Sequence, residues 1–238
     1  MPWPTIGYLG HALVGDSWRG WKALLLAAAG EQLEDSEREL FTKLTGRERE
    51  PGDGVLTECF LCIGGRRGGK SRAMATFCAW LATCVDWQDI LSIGERARCM
   101  LVAPSMDQAH VTMDYCKALF QDNELLHSLV ENELQDELHL KRRIIFEVQA
   151  ASAAHSRGKT AVAICLDESA FLKGGDAVNS DEDLVTALRP SLATTGGPLL
   201  LTSSPAGAEG LVYQLFKKHY ADRKAMRVAL SRKVRRLI

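Results

Sequence analysis

The stretch that most constrains this chain is Gly64-Gly65-Arg66-Arg67-Gly68-Gly69-Lys70-Ser71. It matches the phosphate-binding loop pattern Gly-x4-Gly-Lys-Ser/Thr (Walker A) without a mismatch, and it lies between an apolar run and a helical pattern. Glycines let successive backbone amides curl around phosphate oxygens, and the helix that follows adds its positive N-terminal end. Lys70 is then placed for the β- and γ-phosphates and the Ser71 hydroxyl for Mg²⁺. Such a loop needs a buried strand in front of it and a helix behind it.

The flanking segments supply both. Thr57 to Ile63 has strand length, and Met74, Phe77, Cys78, Leu81, Cys84 and Val85 share one helical face. Cys99 to Ala103 is a second buried strand, stopped by Pro104, and Ser105-x-x-Gln108 caps a helix with the face Ala109, Met113, Cys116, Leu119 and Phe120. Leu138 to Val148, broken at Lys141-Arg142-Arg143, reads as a hairpin. Ala161 to Leu166 and Pro198 to Ser203 are further buried strands, separated by a helix around Asp181 to Leu188. Continuous apolar strands alternating with helices predict an α/β fold, doubly wound around a mainly parallel sheet covered on both faces.

Residues 1–54 read as a helical extension. Asp16 or Ser17 caps a helix running through Ala29, with Gly30 as its left-handed stop. Ser36-x-x-Glu39 is a capping-box pattern for a second helix ending near Gly46, and the segment 47–54, with Pro51 and Gly52, is a connector. Residues 55–220 form the main domain, and 221–238 a basic tail. From Lys217 onward the chain carries nine Lys or Arg residues against one acid, Asp222, a run suited to a phosphate backbone or equally to a solvated helix or linker.

With 238 residues and a net charge of −1, the chain shows no global signature of a nucleic-acid binder. Of seven cysteines, most lie in apolar runs and read as core residues of a protein from a reducing compartment. Cys59-x-x-Cys62 has metal-ligand spacing, but no second pair follows at zinc-finger distance, so core packing is the preferred reading. The longest apolar stretch near the start, Ala23 to Ala29, is far too short for a membrane span, and no basic segment with an apolar stretch behind it opens the chain. A soluble intracellular protein is expected.

Two further segments carry chemistry. Ala161 to Leu166 ends in the carboxylates Asp167-Glu168. In P-loop ATPases an Asp at such a strand end (Walker B) is associated with Mg²⁺, and a Glu after it serves as general base for water. Asp167 is therefore read with Ser71 as metal-associated, and Glu168 as the base. Leu199-Leu200-Leu201-Thr202-Ser203-Ser204-Pro205 is an apolar strand ending in hydroxyls, which suits a γ-phosphate sensor or, equally, a strand end entering a polar turn. Arg66 and Arg67 lie inside the loop, within reach of nucleotide or a carboxylate. Arg157, upstream of Asp167, is on its residues alone a surface arginine.

Taken together these residues resemble the ATPase domain of the large terminase subunit of tailed bacteriophages. That family's loop reads close to Gly-Gly-Arg-Arg-x-Gly-Lys-Ser, its acidic motif is similar to Leu166-Asp167-Glu168-Ser169-Ala170-Phe171, and its Ser-Thr-Pro coupling motif to Ser203-Ser204-Pro205. An Arg-Gly pair before the acidic strand is matched by Arg157-Gly158, and Val102-Ala103-Pro104-Ser105 with Gln108-Ala109 is similar to the segment after the P-loop helix. The resemblance covers roughly residues 45 to 220.

It implies a RecA-like P-loop NTPase that uses ATP and Mg²⁺ to drive double-stranded DNA into a procapsid. Gly64 to Ser71 would bind nucleotide, with Arg66 on the phosphates. Arg157 becomes a candidate finger acting on a neighbouring subunit, and Ser203 and Ser204 report the γ-phosphate state. The implied partners are DNA, a portal protein, a small terminase subunit and further copies in a ring. The implied location is the bacterial cytoplasm, docked on the procapsid, with no membrane. Family members usually continue into an RNase-H-like nuclease domain, and no nuclease activity is expected of these 238 residues. The alternatives are a helicase-like P-loop ATPase, or an inactive nucleotide-binding remnant. The sequence does not identify the adenine pocket; Thr45-Gly46-Arg47, just upstream of the P-loop strand, is a guess at it.

Overall fold

The computed structural model describes residues 11–47, 59–65, 67–151, 158–172, 181–220 and 235–236. Helices α1 (Arg19–Ala28) and α2 (Asp35–Thr45) precede β1 (Cys59–Ile63), the phosphate loop and α3 (Lys70–Cys84). The chain continues through β2 (Val85–Asp86), β3 (Ala97–Ala103), α4 (Met106–Asp122), α5 (Glu124–Ser128), β4 (Val130–Glu133), β5 (Glu137–Leu140), β6 (Ile144–Ala150) and β7 (Ala161–Leu166). Then come α6 (Asp181–Leu188), β8 (Leu199–Ser203), α7 (Gly210–His219) and the two-residue β9 (Arg235–Arg236), which pairs antiparallel with β2.

The main sheet has seven strands in the order β1-β8-β7-β3-β6-β5-β4. The first five run parallel, and β5 and β4 extend the sheet antiparallel. The fold is α/β with a mostly parallel sheet, as predicted. Side-chain alternation splits its core in two. Cys99, Leu101, Ala103, Cys165 and Leu200 face the cluster built on α1, α3 and α4; Met100, Val102, Ile164, Leu166, Leu199 and Leu201 face α6 and the segments around it. Covering on both faces is why β3, β7 and β8 read as unbroken apolar runs.

Most predicted elements are present, with instructive differences. The predicted single buried face of α3 is wrong: Lys70 and every residue from Ala73 to Cys84 are buried, because the helix is enclosed by the sheet, α1 and α4. Val85, assigned to that face, has already entered β2. The capping box of α2 is formed by Glu34 and Glu37 rather than Ser36 and Glu39, since Glu34 is the residue with extended backbone ahead of the helix. Gly30 and Gly46 do adopt left-handed conformations (φ 70° and 67°) at the two helix ends. A 3-10 turn, Asp16–Trp18, leads into α1 in place of a side-chain cap. Strand β4 and helix α5 were not expected; β4 is mostly exposed and polar, so it shows no apolar pattern.

Five cysteines, 78, 84, 99, 116 and 165, are buried and free. The side chains of Cys59 and Cys62 lie outside the described residues, as does most of the predicted connector. Among the described residues no helix is long and apolar enough to cross a membrane.

Candidate functional site

The strand order brings the chemistry-bearing segments to one edge of the sheet. β8 lies between β1 and β7, so the hydroxyl-rich end of β8 stands between the phosphate loop and the two carboxylates. Ile63 is level with Ser203, and Gly64 N–H donates to the Ser203 carbonyl at 3.1 Å, fixing the loop's entry on β8. Gly68 N–H closes a turn onto the Gly65 carbonyl at 3.0 Å. A side chain at Gly68 would meet that carbonyl at 2.9 Å, which is one reason glycine is needed there. Arg67, exposed, takes up positive φ (65°), and Gly69 (φ 77°) is the N-cap of α3. Arg66 lies outside the described residues.

Lys70 is the first residue of α3 and is buried. Its ammonium donates to the carbonyls of Gly64 and Gly65 (3.1 and 3.2 Å) and to Ser204 Oγ (3.2 Å). All three described partners are neutral. A buried cation with no counter-charge among them is an electrostatic invitation to an anion.

Asp167 is the node of the site and is 7% exposed. Its Oδ2 accepts from Ser71 Oγ at 2.6 Å and Thr112 Oγ1 at 3.2 Å; its Oδ1 accepts from Thr202 Oγ1 at 2.6 Å and Glu168 N–H at 2.9 Å. These bonds join four elements: α3, α4, β7 and β8. Ser71 and Asp167, predicted as a pair from distant segments, are therefore in direct contact. Thr112 and Thr202 were not singled out from sequence, although both leave traces there. Thr112 is a hydroxyl on the otherwise apolar stripe of α4, and Thr202 has the parity of Leu200, which points to the α3–α4 side of the sheet.

Glu168 is held in the left-handed region (φ 48°, ψ 43°), an uncommon conformation for a residue with a side chain. The sharp turn directs it back towards β8, where its Oε2 accepts the Ser204 N–H at 3.2 Å. Ser204 thus touches Lys70 through its hydroxyl and Glu168 through its amide. Ser203 plays a different part. It is fully buried; its Oγ accepts from Ala170 N–H (3.1 Å) and donates to the Ser204 carbonyl (3.0 Å), binding the turn after β7 to β8. Arg157 lies outside the described residues. Thr45 and Arg47 are engaged elsewhere: Thr45 Oγ1 donates to the Phe41 carbonyl, and Arg47 Nη2 to that of His219.

The donor set fits a nucleotide with a hard divalent cation. Oxygen ligands are what Mg²⁺ takes, and it is commonly held by one or two protein oxygens plus phosphates and water. Ser71 Oγ and Asp167 Oδ2 form such a pair beside the loop. Among the described residues no cluster of three or more His, Cys, Asp or Glu forms an all-protein metal cage.

No protein-family model matches the sequence, and no curated protein matches it. Solved structures do. The chain is similar to the large terminase ATPase domain of Thermus phage P74-26, with a TM-score of 0.52 and 20% identity over 78% of this chain and 75% of that one. It is also similar to the large terminase of bacteriophage HK97, with a TM-score of 0.54 and 14% identity over 86% of this chain. The match spans 41% of the HK97 protein's chain. At these identities the likeness is one of architecture: the chain shares the α/β fold of the ATPase domains of phage large terminases.

Proposed function

We propose that this chain is an ATP-hydrolysing motor domain of the phage large-terminase type, which drives double-stranded DNA into a procapsid. The observation that carries the proposal is the contact of Ser71 with Asp167 beside a buried Lys70, with Glu168 and Ser204 adjoining. Lys70 and Arg66 would hold the phosphates, with the amides of Gly64 to Ser71 around them. Ser71 and Asp167 would hold Mg²⁺, which neutralises phosphate charge when bound. Thr112 and Thr202 keep the Asp167 carboxylate turned towards Ser71. Glu168 takes the proton from the attacking water, and the turn that sets its φ positive aims it at the same strand end as Ser204. Ser204, touching both Lys70 and Glu168, is suited to report the γ-phosphate; Ser203 anchors it.

The wider setting is proposed on the same footing: a ring of copies with Arg157 acting across the subunit boundary, a portal protein, and a small terminase subunit delivering DNA. The test is DNA-stimulated ATP hydrolysis with portal and small subunit added. The expected outcome is turnover that Glu168→Gln lowers by about 10²- to 10⁴-fold while nucleotide binding persists. Full turnover in Glu168→Gln would remove the base from the scheme, and binding without hydrolysis in the assembled complex would favour a nucleotide-binding remnant.

A further inference from the structure

The phosphate loop is touched from outside by a segment that no motif includes. Trp21, on α1, donates its indole Nε1–H to the Gly68 carbonyl at 2.8 Å. Trp18, at the junction of the 3-10 turn and α1, lies so close to Gly69 that an added Cβ would stand 2.5 Å from its ring. The Arg72 guanidinium, one position beyond Ser71, sits 5.2 Å from the centroid of the same ring, within cation–π range. Trp18 is the N-cap of α1 and Trp21 lies in its first turn, so the two rings approach the loop from the same end of the helix. The base of this clamp is firm: Leu25, Ala28 and Ala29 are buried in the same cluster as α3.

We infer that Trp18 and Trp21 are positioning residues for the phosphate loop, holding its Gly68–Gly69 peptide in the orientation a nucleotide needs. In a trans peptide the carbonyl and the next N–H point in opposite directions. Tying the Gly68 oxygen to Trp21 therefore turns the Gly69 N–H to the side away from the indole and stops the peptide from flipping. Four glycines make this loop conformationally expensive to order, so an external contact that orders it in advance raises the fraction of chains ready to bind. Trp18 closes the space beside Gly69, and Arg72 keeps its ring seated. The inference rests on the nucleotide-binding role proposed for the loop.

The test is equilibrium titration of the full 238-residue chain with mant-ADP and Mg²⁺, well below the melting midpoint of every variant. Trp21→Phe keeps the ring and removes the donor; Trp18→Leu removes the aromatic face. Trp21→Phe is expected to weaken mant-ADP binding by about fivefold, the effect of one lost hydrogen bond on the ready fraction, and Trp18→Leu by about the same factor through loss of the ring that fills the space beside Gly69 and seats Arg72. Amide hydrogen exchange at Gly68 to Ser71 in the nucleotide-free variants is expected to accelerate, whereas exchange in β3 and β7 stays as in wild type. A merely structural role would lower the melting midpoint and leave affinity among folded molecules unchanged, which would overturn the inference. Wild-type binding matched by both variants would overturn it too, leaving the nucleotide role intact. A wild-type chain that does not bind mant-ADP would overturn both.

Discussion

Thr202→Val puts the organisation of the site under a direct energetic test. Valine keeps the β-branched shape of threonine, and position 202 is fully buried at the end of a strand flanked on both sides, so packing and strand preference change little. What is lost is the hydroxyl donor 2.6 Å from Asp167 Oδ1. That oxygen is left with the Glu168 N–H at 2.9 Å, and the carboxylate is too buried for water to replace the missing donor freely. Hydrogen bonds to charged groups contribute about 1.5–3 kcal/mol, so a loss of about 2 kcal/mol in unfolding free energy is expected. Urea denaturation at neutral pH should show a lower midpoint with an unchanged slope. In a double-mutant cycle with Asp167→Asn, the two substitutions should couple by about 1–2 kcal/mol, as contacting groups do. Additivity within about 0.5 kcal/mol, or a Thr202→Val protein as stable as wild type, would refute the idea that Thr202 orients Asp167.

Gly197 precedes β8, and a Cβ there would stand 2.0 Å from the Val162 carbonyl, a backbone atom with no freedom to yield; Gly197→Ala should cost about 3 kcal/mol or more, read as a lowered thermal midpoint. The two serines after Thr202 should separate cleanly. Ser203→Ala leaves the partly buried Ala170 N–H without its acceptor and should lower stability by about 1 kcal/mol, whereas Ser204→Ala should leave unfolding within about 0.5 kcal/mol of wild type and change ATP turnover. The Cys78 thiol and burial raise the pKa of Cys165, burial raises that of Cys116, and at Cys78 a hydrogen bond with Cys165 that lowers the pKa is outweighed by Cys99 and burial, so all three thiolates are scarce at neutral pH. Iodoacetamide labelling of these three, followed by peptide mass spectrometry, should therefore track unfolding; rapid labelling of the native chain would contradict the core described here.

What the sequence disclosed and what it withheld divide along physical lines. The loop Gly64 to Ser71, the Ser105 cap and the strand Ala161–Leu166 were legible because each is specified by residues adjacent in the chain. The capping box of α2 slid by two residues because Ser36 and Glu39 offer the same chemistry as Glu34 and Glu37, and only the backbone decides between them. Burial of α3 on all sides depends on what packs against it, which no window on that helix contains. Thr112 and Thr202 reach Asp167 from α4 and β8, so their role exists only once those elements meet. For Thr202, strict alternation along Leu199–Ser203 carries the information: Ser203 faces the α6 side, and Thr202 faces Asp167. Trp18 and Trp21 have no such trace. As large apolar residues on a helix they look like ordinary core, and their contacts with Gly68 and Gly69 arise from docking of α1 against the loop.

The central claim is that this loop, with Ser71 and Asp167, binds a magnesium nucleotide. Titration of the chain with mant-ATP, with and without Mg²⁺, tests it most directly when Lys70→Ala and Asp167→Asn are run alongside. The account predicts saturable binding that Lys70→Ala weakens by about tenfold or more, through loss of charge-assisted contacts, and an affinity gain from Mg²⁺ that disappears in Asp167→Asn. Absence of saturable binding, or binding indifferent to both substitutions, would contradict it.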